Sequence, residues 1–112
     1  MNVLKQVCAI IDQMIPNEIE RKMMKCYILR KMLNQSPLEI GYYMDLSTPQ
    51  VNDYAKKAFV LFDLHGETRT RHTIAHEACL KAVLRVQIKR GLDEVQRVNE
   101  RMNRMIKQQL NA

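Results

Sequence analysis

Three side chains in the C-terminal half have types and spacing that suit metal binding. His72, His76 and Cys79 follow at steps of four and three residues, which places them on one face of a predicted helix. Structural zinc takes four nitrogen or sulfur ligands, and only His65 or Glu77 offers itself as a fourth. The alternative is a helix start with exposed histidines and a buried cysteine. We adopt this alternative and expect no metal and no cofactor.

The sequence shows none of the residue patterns that are typical of a catalytic site. The sequence has no glycine-rich phosphate loop, no serine–histidine–aspartate constellation and no pair of carboxylates in a plausible cleft. A chain of 112 residues forms one core, which leaves no room for a large catalytic domain beside a second module. We therefore expect a protein that is not an enzyme.

Cysteine use and hydropathy indicate the cellular setting. Cys8, Cys26 and Cys79 are odd in number, far apart and set within apolar helical patterns, which predicts reduced, buried thiols. No apolar run approaches the ~18 residues of a membrane span, and the chain does not start like a secretory signal. We expect a soluble, cytoplasmic protein without a membrane partner.

The composition and the helix-capping signals predict an all-α fold. Three Gly and three Pro supply too few turns for a β-sandwich or barrel, whereas good helix formers are abundant. Apolar periodicity and caps predict a first helix from Val3 to Ile15, ended by Pro16, and a second from an Asn17–Glu20 capping box to about Leu33. A short third helix follows Ser36-Pro37-Leu38-Glu39, and a fourth runs from Ser47-Thr48-Pro49-Gln50 to about Phe62. After a break at His65-Gly66, the chain continues from about His72 as one long C-terminal helix, or as a helical pair if Gly91 divides it.

The third and fourth predicted helices have the dimensions of a helix-turn-helix. Between the helix starts at Ser36 and Ser47 there is space for about two helical turns and a tight corner. Asp45 stands at the corner, where a left-handed residue, usually glycine, is needed, and aspartate tolerates that conformation better than most residues do. The positions that must be apolar or small in such a motif are occupied by Ile40, Gly41, Met44, Leu46, Val51 and Tyr54.

The stretch from Ser36 to Lys57 resembles the tri-helical helix-turn-helix of the LuxR-type and sigma-factor region-four families. Within it, the six residues from Leu46 to Val51 are similar to the corner and start of their recognition helix. A weaker similarity links Ser36 to Gly41 and Asp45 to Thr48 with the C-terminal DNA-binding domain of the DnaA initiator, but the signature histidine and glycines are missing here. The first resemblance implies a helix-turn-helix domain over residues 1–64 that binds double-stranded DNA.

The same resemblance implies which side chains meet the DNA. Asn and Gln pair bidentately with adenine, and Lys neutralises backbone charge without reading sequence. Asp53 repels phosphate unless it accepts a hydrogen bond from a cytosine amino group. The alternative is a tri-helical fold whose second helix binds a protein or nothing. The implied DNA-binding residues are Ser47, Thr48, Gln50, Asn52, Asp53, Lys56 and Lys57.

The basic charge lies mainly outside this motif. The chain has a net charge of +6, but residues 1–65 carry eight Lys and Arg against seven Asp and Glu, whereas residues 66–112 carry ten against five. Non-specific DNA affinity comes mostly from neutralised phosphates, so the near-neutral first half favours a protein-binding role. Arg97, Arg101 and Arg104 step along one face of the last helix, which is either solvated or in contact with the DNA backbone.

The segment 65–112 is predicted to build a dimer or to bind a partner protein. Its apolar positions recur at helical spacing, with Asn99 as an interruption that can set register. The alternative is a helix folded back on the first domain. The apolar positions are Leu84, Ile88, Leu92, Val95, Met102, Ile106 and Leu110.

Two functions therefore stand at this point. One is a homodimeric, sequence-specific regulator of transcription or replication, of bacterial, phage or plasmid type. The other is a non-catalytic adaptor that keeps the tri-helical scaffold and binds a polymerase or replication factor through the C-terminal helix.

Overall fold

A computed structural model describes residues 2–64 and 68–110, of which Leu110 is described by its backbone alone. The described residues form five α-helices and no strand, which confirms the all-α prediction. The predicted break at His65-Gly66, and His65 as a zinc ligand, lie outside the described residues. The helices are α1 (Val3–Met14), α2 (Glu18–Lys31), α3 (Pro37–Met44), α4 (Thr48–Leu61) and α5 (Arg71–Leu110).

The helix starts follow the predicted caps. The side chains of Asn17, Ser36 and Ser47 each accept a hydrogen bond from a backbone N–H in the first turn of the helix that follows. The predicted box at Asn17 is only half formed. The Glu20 carboxylate does not return to the cap, because its Oε2 lies 2.9 Å from Nε2 of His72 at the start of α5.

Helix α2 is the centre of the fold. It contacts each of the other four helices. Six of its residues are buried, namely Met23, Met24 and the run from Cys26 to Leu29, so apolar side chains cover most of the helix circumference. One side of α2 remains charged, because Lys22 and Lys25 lie there and pair with acidic residues. The sequence predicted this helix but not its central position.

The first half of α5 belongs to the same core. Ala75, Cys79 and Val83 are buried together with residues of α1, and the Cys79 thiol lies 3.9 Å from the Val7 carbonyl oxygen. At the start of α5, the His72 ring stacks on Phe62 with the ring centroids 4.0 Å apart. These contacts hold the first half of α5 against α1 and α2.

The second half of α5 leaves the body of the protein. The helix is continuous from Arg71 to Leu110, so Gly91 does not divide it. Forty residues at 1.5 Å per residue give a rod of about 60 Å, which accounts for most of the 66 Å length of the molecule. Every residue from Gln87 to Gln109 is exposed. None of the described helices has the length and apolarity that crossing a membrane requires.

The three cysteines provide a test of this core. All three are free and buried, as predicted. Burial raises the pKa of the Cys26 thiol to about 11 and that of the Cys79 thiol to about 12, because a thiolate would lose its hydration there. At pH 8, Cys26 and Cys79 of the folded protein should therefore react with a disulfide reagent at least about a hundredfold more slowly than free cysteine does. Unfolding in urea should release three rapidly reacting thiols, and rapid reaction of Cys26 or Cys79 before unfolding would contradict this packing.

Candidate nucleic-acid interface

The corner between α3 and α4 is closely packed at Gly41. Asp45 ends α3 with φ 57° and ψ 50°, the left-handed conformation that the sequence motif requires. The Gly41 carbonyl oxygen accepts a hydrogen bond from the Leu46 amide at 2.8 Å. A Cβ at Gly41 would collide with the Leu46 carbonyl oxygen. Glycine is therefore required at position 41, because the backbone of the turn at Leu46 lies directly against α3.

One face of α4 holds the helix to the body. Val51, Ala55 and Ala58 are buried at steps of four and three residues, and Val51 is fully inaccessible to solvent. Two small alanines allow α4 to pack closely on α2. The opposite face of α4 is consequently fixed in orientation as well as in position.

The structure brings together all seven residues implied by the resemblance. They lie at the N-terminus of α4 and along its outward face, and each of them is exposed: Ser47, Thr48, Gln50, Asn52, Asp53, Lys56 and Lys57. Exposure leaves them free to meet a ligand. Their own hydrogen bonds, however, distinguish the residues from one another.

Gln50 already has a structural task. Its Oε1 accepts from the Ser47 amide at 2.9 Å, while the Ser47 Oγ accepts from the Gln50 amide at 3.3 Å. This is a complete capping box. With Oε1 engaged, Gln50 offers its side-chain NH₂ as a donor, and pairing bidentately with adenine would require the cap to open.

Asp53 and Lys57 form an ion pair one helical turn apart. Asp53 Oδ2 lies 2.9 Å from Lys57 Nζ. The hydrogen bond to Asp53 and its negative charge raise the pKa of Lys57, so Lys57 stays protonated. The pair reduces the repulsion that an isolated Asp53 would exert on phosphate, and it also reduces the attraction that Lys57 provides.

Beside α4, the end of α2 contributes a basic groove that the sequence analysis missed. Arg30 and Lys31 line an open groove of about 580 Å³ together with Asn52 and Lys56 of α4, and none of the lining residues is acidic. Tyr27 and Phe59, whose ring centroids are 6.1 Å apart, form its aromatic wall. Three cations thus converge beside the outward face of α4, although the first half of the chain is nearly neutral overall. Basic residues in the last turn of a helix are common, so no sequence signal distinguished Arg30 and Lys31.

The side chains considered for zinc have separate partners. His72 lies against Glu20 and Phe62, whereas the His76 ring lies 5.8 Å from the ring of Tyr27. Cys79 is buried against α1. Within residues 2–64 and 68–110, no three His, Cys, Asp or Glu side chains come together as a metal site requires. His72 and His76 are half-buried and pack between helices, so they are less exposed than predicted.

Comparison with protein-family models, with curated proteins and with solved structures finds no match to this chain.

Two glycine exchanges at the corner should have opposite effects. Gly41→Ala should lower the free energy of unfolding by roughly 2 kcal/mol or more, because the added Cβ meets a backbone oxygen that cannot move alone. Asp45→Gly should raise it by about 0.5–1 kcal/mol, because glycine adopts the left-handed conformation without steric cost. Urea unfolding followed by circular dichroism measures both changes. Equal stability of the Gly41→Ala variant and the unmodified protein would show that α3 and α4 do not approach as described.

Proposed function

We propose that the protein is a non-catalytic, sequence-specific DNA-binding regulator that presents α4 to double-stranded DNA as its recognition helix. Two features together carry the proposal. The corner at Gly41 fixes the position of α4, and the outward face of α4 is polar or charged from Ser47 to Lys57, apart from Pro49 and the buried positions. A helix that enters the major groove needs this combination of rigid support and exposed hydrogen-bonding side chains.

The basic groove supports the proposal on electrostatic grounds. Arg30, Lys31 and Lys56 lie within one surface feature, so the local charge beside α4 is more positive than the composition of residues 1–65 suggests. Neutralised phosphates supply most of the affinity that is independent of sequence. In the proposed complex, these three side chains contact the DNA backbone on one side of α4, and Lys57 does so on the other.

Asn52 is the best placed residue for reading a base. It is exposed on α4 and lines the groove between the cations of α2 and Lys56. Its amide can both donate and accept, which is what bidentate pairing with adenine requires. Gln50 contributes as a donor from the capped helix start, and Ser47 and Thr48 are small hydroxyl residues able to approach the backbone or a base edge.

The regulator acts as a homodimer in the cytoplasm, in a bacterial, phage or plasmid setting, and controls transcription or replication. Dimerisation through α5 would place two recognition helices on one DNA duplex. The exposed apolar residues of the projecting half of α5 support this part of the proposal.

A second candidate is an adaptor that binds a polymerase or replication factor. Leu38 and Tyr42 lie one turn apart on the outer side of α3 and are 73% and 93% exposed, respectively. Two large apolar side chains on one exposed face are what a protein partner would cover. The adaptor becomes the better account if α4 does not bind DNA.

The roles of the α4 and α2 residues predict distinct effects on DNA binding. Asn52→Ala should weaken binding to a selected site by roughly 1–3 kcal/mol and leave binding to random duplex nearly unchanged. Lys56→Ala and Arg30→Ala should each weaken binding to every sequence alike and reduce the salt slope by about one unit. Fluorescence anisotropy of labelled duplexes over a series of salt concentrations measures both quantities.

Lys81→Ala provides the matched control, because Lys81 is an exposed lysine on α5 that pairs with Glu77. It should leave both the affinity and the salt slope unchanged. If Asn52→Ala, Lys56→Ala and Arg30→Ala behave like Lys81→Ala while the fold is intact, α4 is not a recognition helix, and the adaptor becomes the better account.

A further inference from the structure

The projecting half of α5 carries an apolar stripe on the face that points away from α1. Ile88 follows Cys79 by nine residues, and at 3.6 residues per turn the two lie about half a turn apart around the helix axis. Because Cys79 faces α1, Ile88 faces outward. A helix from another molecule can therefore lie along the stripe without contacting the body of the chain that carries it.

The stripe is built from columns with a seven-residue spacing. The central column is Ile88, Val95 and Met102, and the flanking columns are Leu84, Gly91, Val98 and Met105 on one side and Leu92, Asn99 and Ile106 on the other. The eight large apolar side chains among these residues are each between 45% and 65% exposed. Covering the whole stripe would bury on the order of 800 Å² on each chain, which is the area that each partner contributes to a standard stable interface.

We infer that the stripe is covered by a second copy of this chain, with the two α5 helices antiparallel and centred between Val95 and Val98. This inference rests on the homodimer that forms part of the proposed function, and it specifies how that dimer is built. In this register Ile88 faces Met105 of the partner subunit, and Val95 faces Val98 of the partner subunit. The two-fold axis passes through the middle of the exposed stripe, so all of the stripe is used.

Charge complementarity selects the antiparallel arrangement. Glu94 and Arg101 are seven residues apart on the same flank of the stripe. Two antiparallel helices bring identical flanks together, so Glu94 lies beside Arg101 of the partner subunit, and the two-fold axis repeats this pair. Parallel helices would bring opposite flanks together and would set Glu94 near Asn99 and Arg101 near Ile106. Only the antiparallel pair gives both charges an opposite charge.

Side-chain size favours the same arrangement. A Cβ at Gly91 would have no heavy atom within 4 Å, so neither α1 nor any other described part of the chain accounts for a glycine there. Glycine also lowers helix stability relative to alanine. In the antiparallel register Gly91 faces Met102 of the partner subunit, and the long methionine fills the space. In the parallel register two glycines would face each other and leave a gap in the seam.

Charge reversal tests the inference directly. Glu94→Arg and Arg101→Glu should each weaken dimerisation by about tenfold in sedimentation equilibrium, because each creates two like-charge contacts. The double variant should regain the original dissociation constant, because it restores both pairs with the signs exchanged. Arg97→Glu is the matched control, since Arg97 lies on the face opposite the stripe and should have no effect. Single variants that change nothing, or a double variant that is not rescued, would overturn the antiparallel pairing.

A distance measurement provides an independent check. A spin label on Gln108→Cys should lie about 35 Å from its symmetry mate in the antiparallel dimer, because residue 108 is about 11.5 residues from the centre. In a parallel dimer the two labels would lie within about 20 Å. The unmodified protein, whose three cysteines are buried, shows how much label reacts elsewhere.

The outcomes also separate this inference from the proposed function. A short distance between the labels overturns the antiparallel pairing alone, and a monomer at millimolar concentration overturns the dimer. Binding of the Glu94→Arg variant to random duplex at low salt tests α4 by itself. Adding Lys56→Ala to this variant should weaken that binding whether or not the chain dimerises.

Discussion

The approach of α3 to α4 at Gly41 is the constraint on which the presentation of α4 depends. The Leu46 carbonyl oxygen occupies the space of a Gly41 side chain, and the Leu46 amide donates to the Gly41 carbonyl oxygen. The left-handed Asp45 reverses the chain between them. Together these interactions leave α4 little freedom to rotate, so the buried face of Val51, Ala55 and Ala58 and the polar face opposite it are set by the same corner.

The central helix α2 packs against both α3 and α4 and so supports this corner. Because α2 contacts all four other helices and buries six of its own residues, it fixes the positions of α1, α3, α4 and α5 at once. Its last turn emerges beside α4, which is why Arg30 and Lys31 join Lys56 in one groove. The distribution of charge in three dimensions therefore differs from its distribution along the chain. A near-neutral half of the sequence folds into a unit with a locally basic surface.

Helix starts and the corner could be predicted because their causes are local. Ser36, Ser47 and the prolines that follow them define where α3 and α4 begin, and the need for a small residue at Gly41 follows from the short distance between the two starts. The continuity of α5 could not be predicted, because a glycine inside a helix costs only about 1 kcal/mol and the outcome depends on the flanking residues. The groove could not be predicted either, because Arg30 and Lys31 meet Lys56 only when α2 packs against α4.

The missed details of the site involve competition for hydrogen bonds. Sequence spacing showed that Gln50 could cap the helix and could read a base, but not that its Oε1 is used by the Ser47 amide in the folded chain. Glu20 was predicted to complete the cap at Asn17, and the folding of α5 onto α2 brings it to His72 instead. In each case the choice is made by residues distant in sequence or by the local backbone, which spacing alone does not reveal.

The most direct test of DNA recognition by α4 is a map of the amide groups that respond to DNA. The measurement is a titration of the isotopically labelled protein with a short random duplex at low salt, followed by two-dimensional nuclear magnetic resonance. The account predicts that the largest shifts fall on residues 47–57 and at Arg30 and Lys31, while residues 87–109 change little. Shifts confined to α5, or no shifts at a DNA concentration that saturates a known DNA-binding protein, would contradict it.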